Sequence, residues 1–340
     1  MVCEETTRPS ITQPLPPSCE FRSFPGSGKD QNSQLAGSVT SMGDGRGTVT
    51  RRALLIGGAS VVVLAGAAAL GVEEDILPGR STMYKALGLD GPAGHIPKVT
   101  PGPMAQGSFA SKARLGKDTA WAISYPPGAK PGDTLPVLIA LHGWGGSHRA
   151  AFYNGIGLDR FLAQSVAAGS APFAIASVDG GNRYWHKRAA GDDSGAMVTD
   201  EFIPLLGDRG LDVARVGFLG WSMGGFGALH LGAKLGPEKT AVVIAESPAL
   251  WNSAGDTARG AFDDAADFRA NTPLGRQKEL DGIPVRIQCG TGDGFYPVAK
   301  KYAAGFATPP SGGFVAGGHN DSYWRRMAPG QLAFAAKHLA

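Results

Sequence analysis

Three side chains in this sequence carry groups that could act together on an electrophilic carbon. They are Ser222 in Gly220-Trp221-Ser222-Met223-Gly224-Gly225, Asp293 in Gly290-Thr291-Gly292-Asp293-Gly294, and His319 in Gly317-Gly318-His319-Asn320. A serine hydroxyl is a weak nucleophile until a base takes its proton. A neutral imidazole is suited to that task, and a carboxylate behind it fixes the tautomer. The Gly-x-Ser-x-Gly spacing means little alone, because 51 of the 340 residues are glycine. Its surroundings mean more: apolar Val216–Leu219 runs into it, and Phe226–Leu235 continues as a helix. A serine on so sharp a strand-to-helix turn takes a strained backbone, and flanking glycines remove the clashes that side chains would make there. The amides opening the helix then point at any negative charge that develops beside the hydroxyl.

Attack on a carbonyl also needs two N–H donors for the resulting oxyanion. One is expected at Met223, directly after the nucleophile. The other is expected in His142-Gly143-Trp144-Gly145-Gly146, which follows the apolar run Pro136–Leu141, with the Trp144 amide as candidate. His142, Gly143 and Trp221 are candidate substrate contacts in the same neighbourhood. Tyr184 and Trp185, with His186, could line the same cleft. Asp293 between glycines could be an ordinary Asp-Gly turn. Its place at a late strand end, in the chain order serine, acid, histidine, favours the acid role. Asp179, Asp192 and Asp193 precede Ser222 and would break that order. His230 reads as a packed helix residue and His338 as a solvated one near the C-terminus.

Those residues need elements to position them. Short apolar runs at Trp121–Tyr125, Pro136–Leu141, Pro172–Val178, Val216–Leu219, Ala241–Ala245 and Val285–Cys289 read as strands, several buried on both faces. Between them lie helical stretches, one bearing Leu158, Phe161, Leu162, Ala163 and Val166, one near Met197–Leu206, and one opening at Ser222. Alternation of this kind predicts an α/β fold with a mostly parallel sheet covered by helices on both faces, and ligands at the carboxyl ends of its strands. The candidate residues fall at those ends. Leu250–Leu280, with Trp251, Phe262 and Phe268 among charges, is expected to be a small cap insertion.

The front of the chain has a different character. Residues 1–50 are rich in Ser, Pro, Gly, Gln and Thr and lack periodicity, so they are expected to lie outside the fold, or upstream of a true start at Met42 rather than Met1. Arg51-Arg52 directly precedes the uncharged apolar run Ala53–Val72, the pattern of a twin-arginine signal, with small-residue cleavage candidates near Ala65–Ala69. A membrane anchor is the alternative, since twenty uncharged residues can span a bilayer. Residues 73–106 are expected to be a linker and 107–340 the catalytic domain. Composition agrees with a globular core, at 43% hydrophobic and 18% charged residues. A net charge of +3 gives no electrostatic footprint for nucleic acid. The three cysteines are too widely spaced for a disulfide scaffold or a zinc ribbon. No metal or cofactor is called for, and the expected partner is a small-molecule, lipid or carbohydrate ester.

Taken together, Gly-Trp-Ser-Met-Gly-Gly at 220–225, His-Gly-Trp-Gly-Gly at 142–146 and Gly-Gly-His-Asn-Asp-Ser-Tyr-Trp at 317–324 resemble the putative-esterase branch of the α/β-hydrolases. That branch includes esterase D, feruloyl-type esterases, and the secreted mycolyl and diacylglycerol acyltransferases. Asp179–His186 and Asp200–Leu206 are similar to it as well, and the resemblance covers roughly residues 110–340. It implies an α/β-hydrolase fold, a triad of Ser222, Asp293 and His319, and hydrolysis of carboxylic esters, with acyl transfer to an alcohol or sugar as the alternative. An inactive hydrolase fold serving as an envelope binding protein is a third possibility, against which the intact triad argues. Two departures stand out: Asn320 follows the histidine where relatives often carry Asp, and acyltransferase members often use Glu as the acid.

Overall fold

The computed structural model describes residues 80–153 and 155–340. The stretches expected to be an N-terminal extension and an export signal lie outside them, as do residues 73–79 of the expected linker.

Eight strands form one sheet in the order β1-β2-β4-β3-β5-β6-β7-β8. β1 (Met104–Ser111) and β2 (Lys117–Ser124) make an antiparallel hairpin, and β2 also runs antiparallel to β4 (Ala174–Val178). From β4 onward through β3 (Pro136–Leu141), β5 (Asp212–Trp221), β6 (Thr240–Glu246), β7 (Val285–Gly290) and β8 (Ser311–Val315) every pairing is parallel. The central strands are largely apolar, as strands covered on both faces are. Val137, Ile139, Leu141, Phe218 and Val243 point into one core, and Leu138, Ala140, Leu219, Val242 and Ile244 into the other.

Helices close the two faces. On the first lie α4 (Met223–Leu235) and α3, formed by Ser194–Ala196, a π-helical turn Met197–Phe202 and Ile203–Asp208. On the second lie α2 (Leu158–Ala167) and α7 (Asp321–Leu339). Further along the chain α5 (Ala265–Asn271) lies within the expected cap, and α6 (Tyr296–Ala304) follows β7. Residues 250–280 are seated rather than free: Trp251, Phe262 and Phe268 are buried in the first core with Tyr184 and Phe226. Arg188 fastens the segment, bonding the carbonyls of Gly260 and Ala261 and the Asp263 carboxylate.

The region expected to be a linker differs from that expectation. The domain begins before residue 107, with β1 at Met104 and a short helix α1 (Arg80–Ala86) ahead of it. Tyr84 packs where a side chain on Gly292 would stand. The Gly94 N–H donates to the Ser322 carbonyl at 3.0 Å, and Arg326 of α7 donates to the Pro92 carbonyl at 2.5 Å and to that of Ala316. This stretch has no periodicity of its own, because what holds it is contact with residues more than two hundred positions away. Among the described residues, no helix is long and apolar enough to cross a membrane.

Candidate active site

β5 ends at Trp221 and α4 begins at Met223, leaving Ser222 alone at the turn with φ 56° and ψ −120°. That left-handed φ is costly for a residue with a Cβ and persists only where surroundings enforce it. Here they do. A side chain at Gly220 would strike the Gly224 carbonyl, and one at Gly224 would strike the Leu141 carbonyl. The backbone is tied down as well: the Ser222 N–H donates to Glu246 O, and the Ser222 carbonyl accepts from Ala249 and Phe226.

The Ser222 hydroxyl donates to His319 Nε2 at 2.9 Å, and His319 Nδ1–H donates to Asp293 Oδ2 at 2.8 Å. The second carboxylate oxygen of Asp293 accepts the Phe295 N–H at 2.9 Å, and the residue is completely buried. Three strand ends, separated by 97 and 26 residues, are thereby joined in one hydrogen-bonded chain. The imidazole is gripped by aromatic edges, with Phe295 at 5.3 Å and Trp324 at 5.1 Å between ring centroids. Asn320, the departure noted after the histidine, caps α7 by accepting the Tyr323 N–H. It therefore fixes the direction in which the loop leaves His319. With the imidazole neutral and its Nδ1 proton engaged by the carboxylate, Nε2 is free to accept the serine proton.

The loop after β3 comes close to this chain, since a Cβ on Gly143 would lie 3.5 Å from that of Ser222. Among the described residues the N–H groups of Met223 and Trp144 have no hydrogen-bond partner, whereas those of the neighbouring Gly145 and Gly146 are satisfied by Asn182 Oδ1 and Gly143 O. Unpaired donors next to a nucleophile are what stabilisation of an oxyanion requires.

Other expected contacts fall elsewhere. His142 is completely buried, so it is not a substrate contact. Its Nδ1–H donates to Gly143 O at 2.8 Å, and its Nε2 accepts the Gly180 N–H at 3.0 Å, which pins two loops together. Burial lowers its pKa, keeping the ring neutral as those bonds demand. Trp185, expected in the cleft, is also at zero exposure, its ring filling the space where side chains on Gly180 and Gly227 would stand. Tyr184 and His186 are buried beneath Trp251 and Phe262, where burial raises the Tyr184 hydroxyl to about 12. Trp221 is largely buried against Trp324, with its indole edge beside Gly143. Of the aromatic candidates only Trp144 is well exposed, at 66%.

Sequence reasoning missed Glu246, at the end of β6. It is buried beside Gln331 and its pKa is raised well above the usual range by burial, with the nearby Asp293 charge adding to the shift. Nothing in the local sequence distinguishes this glutamate, because its state depends on strand neighbours. Among the described residues no group of three or more His, Cys, Asp or Glu side chains could hold a metal ion.

Comparison with known proteins supplies the lineage. The family described as "Putative esterase" matches residues 112–332, most of the chain. The chain belongs to this esterase family. Its fold is that of the α/β-hydrolases, as in solved structures of low sequence identity. A ferulic acid esterase is 18% identical with a TM-score of 0.59, the alignment covering 70% of this chain and 99% of that one. An S-formylglutathione hydrolase from Agrobacterium tumefaciens is 19% identical with a TM-score of 0.60, covering 72% and 98%. A fluorophosphonate-binding serine hydrolase from Staphylococcus aureus is 15% identical with a TM-score of 0.53, covering 71% and 99%. No curated protein sequence matches the chain. The protein is thus an esterase-family enzyme acting on carboxylic esters.

Proposed function

We propose that this esterase is an exported serine hydrolase in which Ser222 is the nucleophile, His319 the general base and Asp293 the residue that orients it. The observation that carries the proposal is the unbroken chain Ser222 Oγ–His319–Asp293 built on a left-handed serine at a strand-to-helix turn. Ser222 Oγ attacks the ester carbonyl as its proton passes to His319 Nε2, and the imidazolium is stabilised by Asp293. The N–H groups of Met223 and Trp144 hold the oxyanion. The imidazolium gives its proton to the departing alcohol, leaving an acyl-enzyme. Water, deprotonated by His319, attacks the acyl carbon, and collapse returns the proton to Ser222 and releases the acid. Arg51-Arg52 ahead of the apolar run 53–72 supports passage through the twin-arginine route.

A fluorophosphonate probe tests the chemistry. The wild type is expected to label and Ser222→Ala to remain unlabelled; equal labelling of both would overturn the assignment. Adding alcohols or sugars during turnover separates the two fates of the acyl-enzyme, with unchanged acid release expected for a hydrolase and acyl transfer to the acceptor overturning it. For export, a reporter fused after residue 80 should fail to reach the cell exterior when Arg51 and Arg52 are both replaced by lysine.

A further inference from the structure

Beyond Trp144 the surface falls into a depression of about 440 Å³ whose charges are of nearly one sign. Arg114, Lys117, Arg183 and Arg259 line it, against a single carboxylate, Asp192. That carboxylate is already committed. It is buried, with Oδ1 accepting from Arg114 Nε at 3.2 Å, Oδ2 accepting from Lys117 Nζ at 2.6 Å, and Arg183 Nε 3.7 Å away. One negative charge is therefore shared among three cations, and Arg259, fully on the surface, has no ion-pair partner among the described residues. The positive excess is held in place by a buried anchor, since Arg114 also donates to the Asp179 carbonyl at 2.5 Å. Cations gathered in a concavity attract an anionic group more strongly than the same charges on a convex surface. Guanidinium groups also match the two oxygens of a carboxylate or phosphate.

The location gives this charge a purpose. Trp144 belongs both to the depression and to the loop whose Gly143 abuts Ser222. We infer that this depression is a substrate subsite for an anionic group, carboxylate or phosphate, borne by one arm of the ester. The inference rests on the esterase assignment above. It also explains why Trp144 stands exposed: its ring forms an apolar wall between the reacting carbonyl and the cations, along which the connecting chain of the substrate lies.

Two matched ester pairs test it: the mono-4-methylumbelliferyl ester of adipate against the hexanoate ester, and the hexanoate ester of 4-hydroxybenzoate against that of 4-hydroxybenzamide. Only the acyl arm is charged in the first pair, and only the alcohol arm in the second. For at least one pair the anionic member should show kcat/KM about tenfold higher, mainly through a lower KM. Raising the salt to about 1 M, where screening acts within about 3 Å, should shrink that ratio. The double variant Arg183→Gln/Arg259→Gln, altering two exposed side chains, should bring it close to one. Ratios at or below one in both pairs, or ratios indifferent to the double variant, would overturn the inference. Hydrolysis of the neutral esters without anionic preference would sink the subsite alone, whereas failure to turn over any of the four esters would sink the esterase reading on which it rests. Binding to Ser222→Ala decides the matter without turnover: in at least one of the two pairs the intact anionic ester should bind more tightly than its neutral partner, and equal affinities in both pairs would overturn the subsite.

Discussion

Two loops of this molecule look alike in sequence and act differently. After β3 the chain reads His142-Gly143, and after β8 it reads Gly318-His319. Both histidines sit at the carboxyl edge of the sheet among glycines. His142 spends both ring nitrogens on backbone groups, Gly143 O and Gly180 N–H, and is wholly buried. His319 spends one nitrogen on Asp293 and turns the other to Ser222, with its side chain 30% exposed. What separates the structural imidazole from the proposed general base is therefore the partner of the second nitrogen, not the glycine setting or the strand end.

The contrast can be broken at its reactive pole. Ser222→Ala or His319→Gln should lower kcat by about 10⁶, and the loss should not deepen when both are combined, because the groups work as one unit. Asp293→Asn should cost about 10⁴ in kcat with little change in KM, since the amide holds the wrong tautomer; steady-state kinetics on a neutral ester measures each.

At the structural pole the effect is smaller and of another kind. His142→Phe leaves the Gly180 N–H unpaired in the interior, a destabilisation of about 1–3 kcal/mol readable by urea unfolding. It also loosens the Trp144 loop, lowering kcat by about 10–100-fold. Fluorophosphonate labelling should persist in that variant and vanish in His319→Phe. An equal loss in both would erase the distinction between the loops.

Acid sharpens the comparison further, because His142 has a counterpart in the half-buried His230. Burial, with the neighbouring His186 adding to it, lowers His230 from 6.5 to about 4. Between those values the unfolded chain binds a proton that the folded chain refuses, so stability is present above about pH 6.5 and erodes as the pH falls towards 4. The thermal midpoint should drop over that window, and His230→Phe should drop less steeply. The mildest test is Asn182→Ala, which removes the side chain that accepts the Gly145 N–H at 2.7 Å. About 1 kcal/mol of stability and a few-fold in kcat are expected to go with it.

Much of the reactive loop was legible in the sequence and little of the structural one. Ser222, Asp293 and His319 could be picked out because each follows an apolar strand in an order that one architecture imposes, and the structure brings their side chains together. His142 and Trp185 were expected to face the cleft. Each is aromatic and lies near the loop that approaches Ser222, but sequence does not reveal which side of a loop a distant backbone covers. Trp185 is buried because Gly180 and Gly227 leave room for its ring, a fit between residues 47 positions apart that no local pattern encodes. β1 escaped notice for a related reason. As an edge strand it buries only Ser111 fully, so it lacks the continuous apolar run that marked β3 and β6.

The stretch ahead of β1 bears on where the working enzyme begins. Family similarity starts at residue 112, and a chain cut back to Met104 would keep all eight strands and every side chain of the Ser222–His319–Asp293 relay. It would nevertheless lose Tyr84 against Gly292, next to the acid, and the Gly94 and Pro92 ties to Ser322 and Arg326, just past the histidine. Two of the three loops would stand without their outer wall while the serine turn stayed intact. Such a shortened chain is expected to fold, take up a phosphonate slowly and turn over poorly, so recombinant boundaries drawn from sequence matching alone would discard part of the machinery that keeps the relay in line.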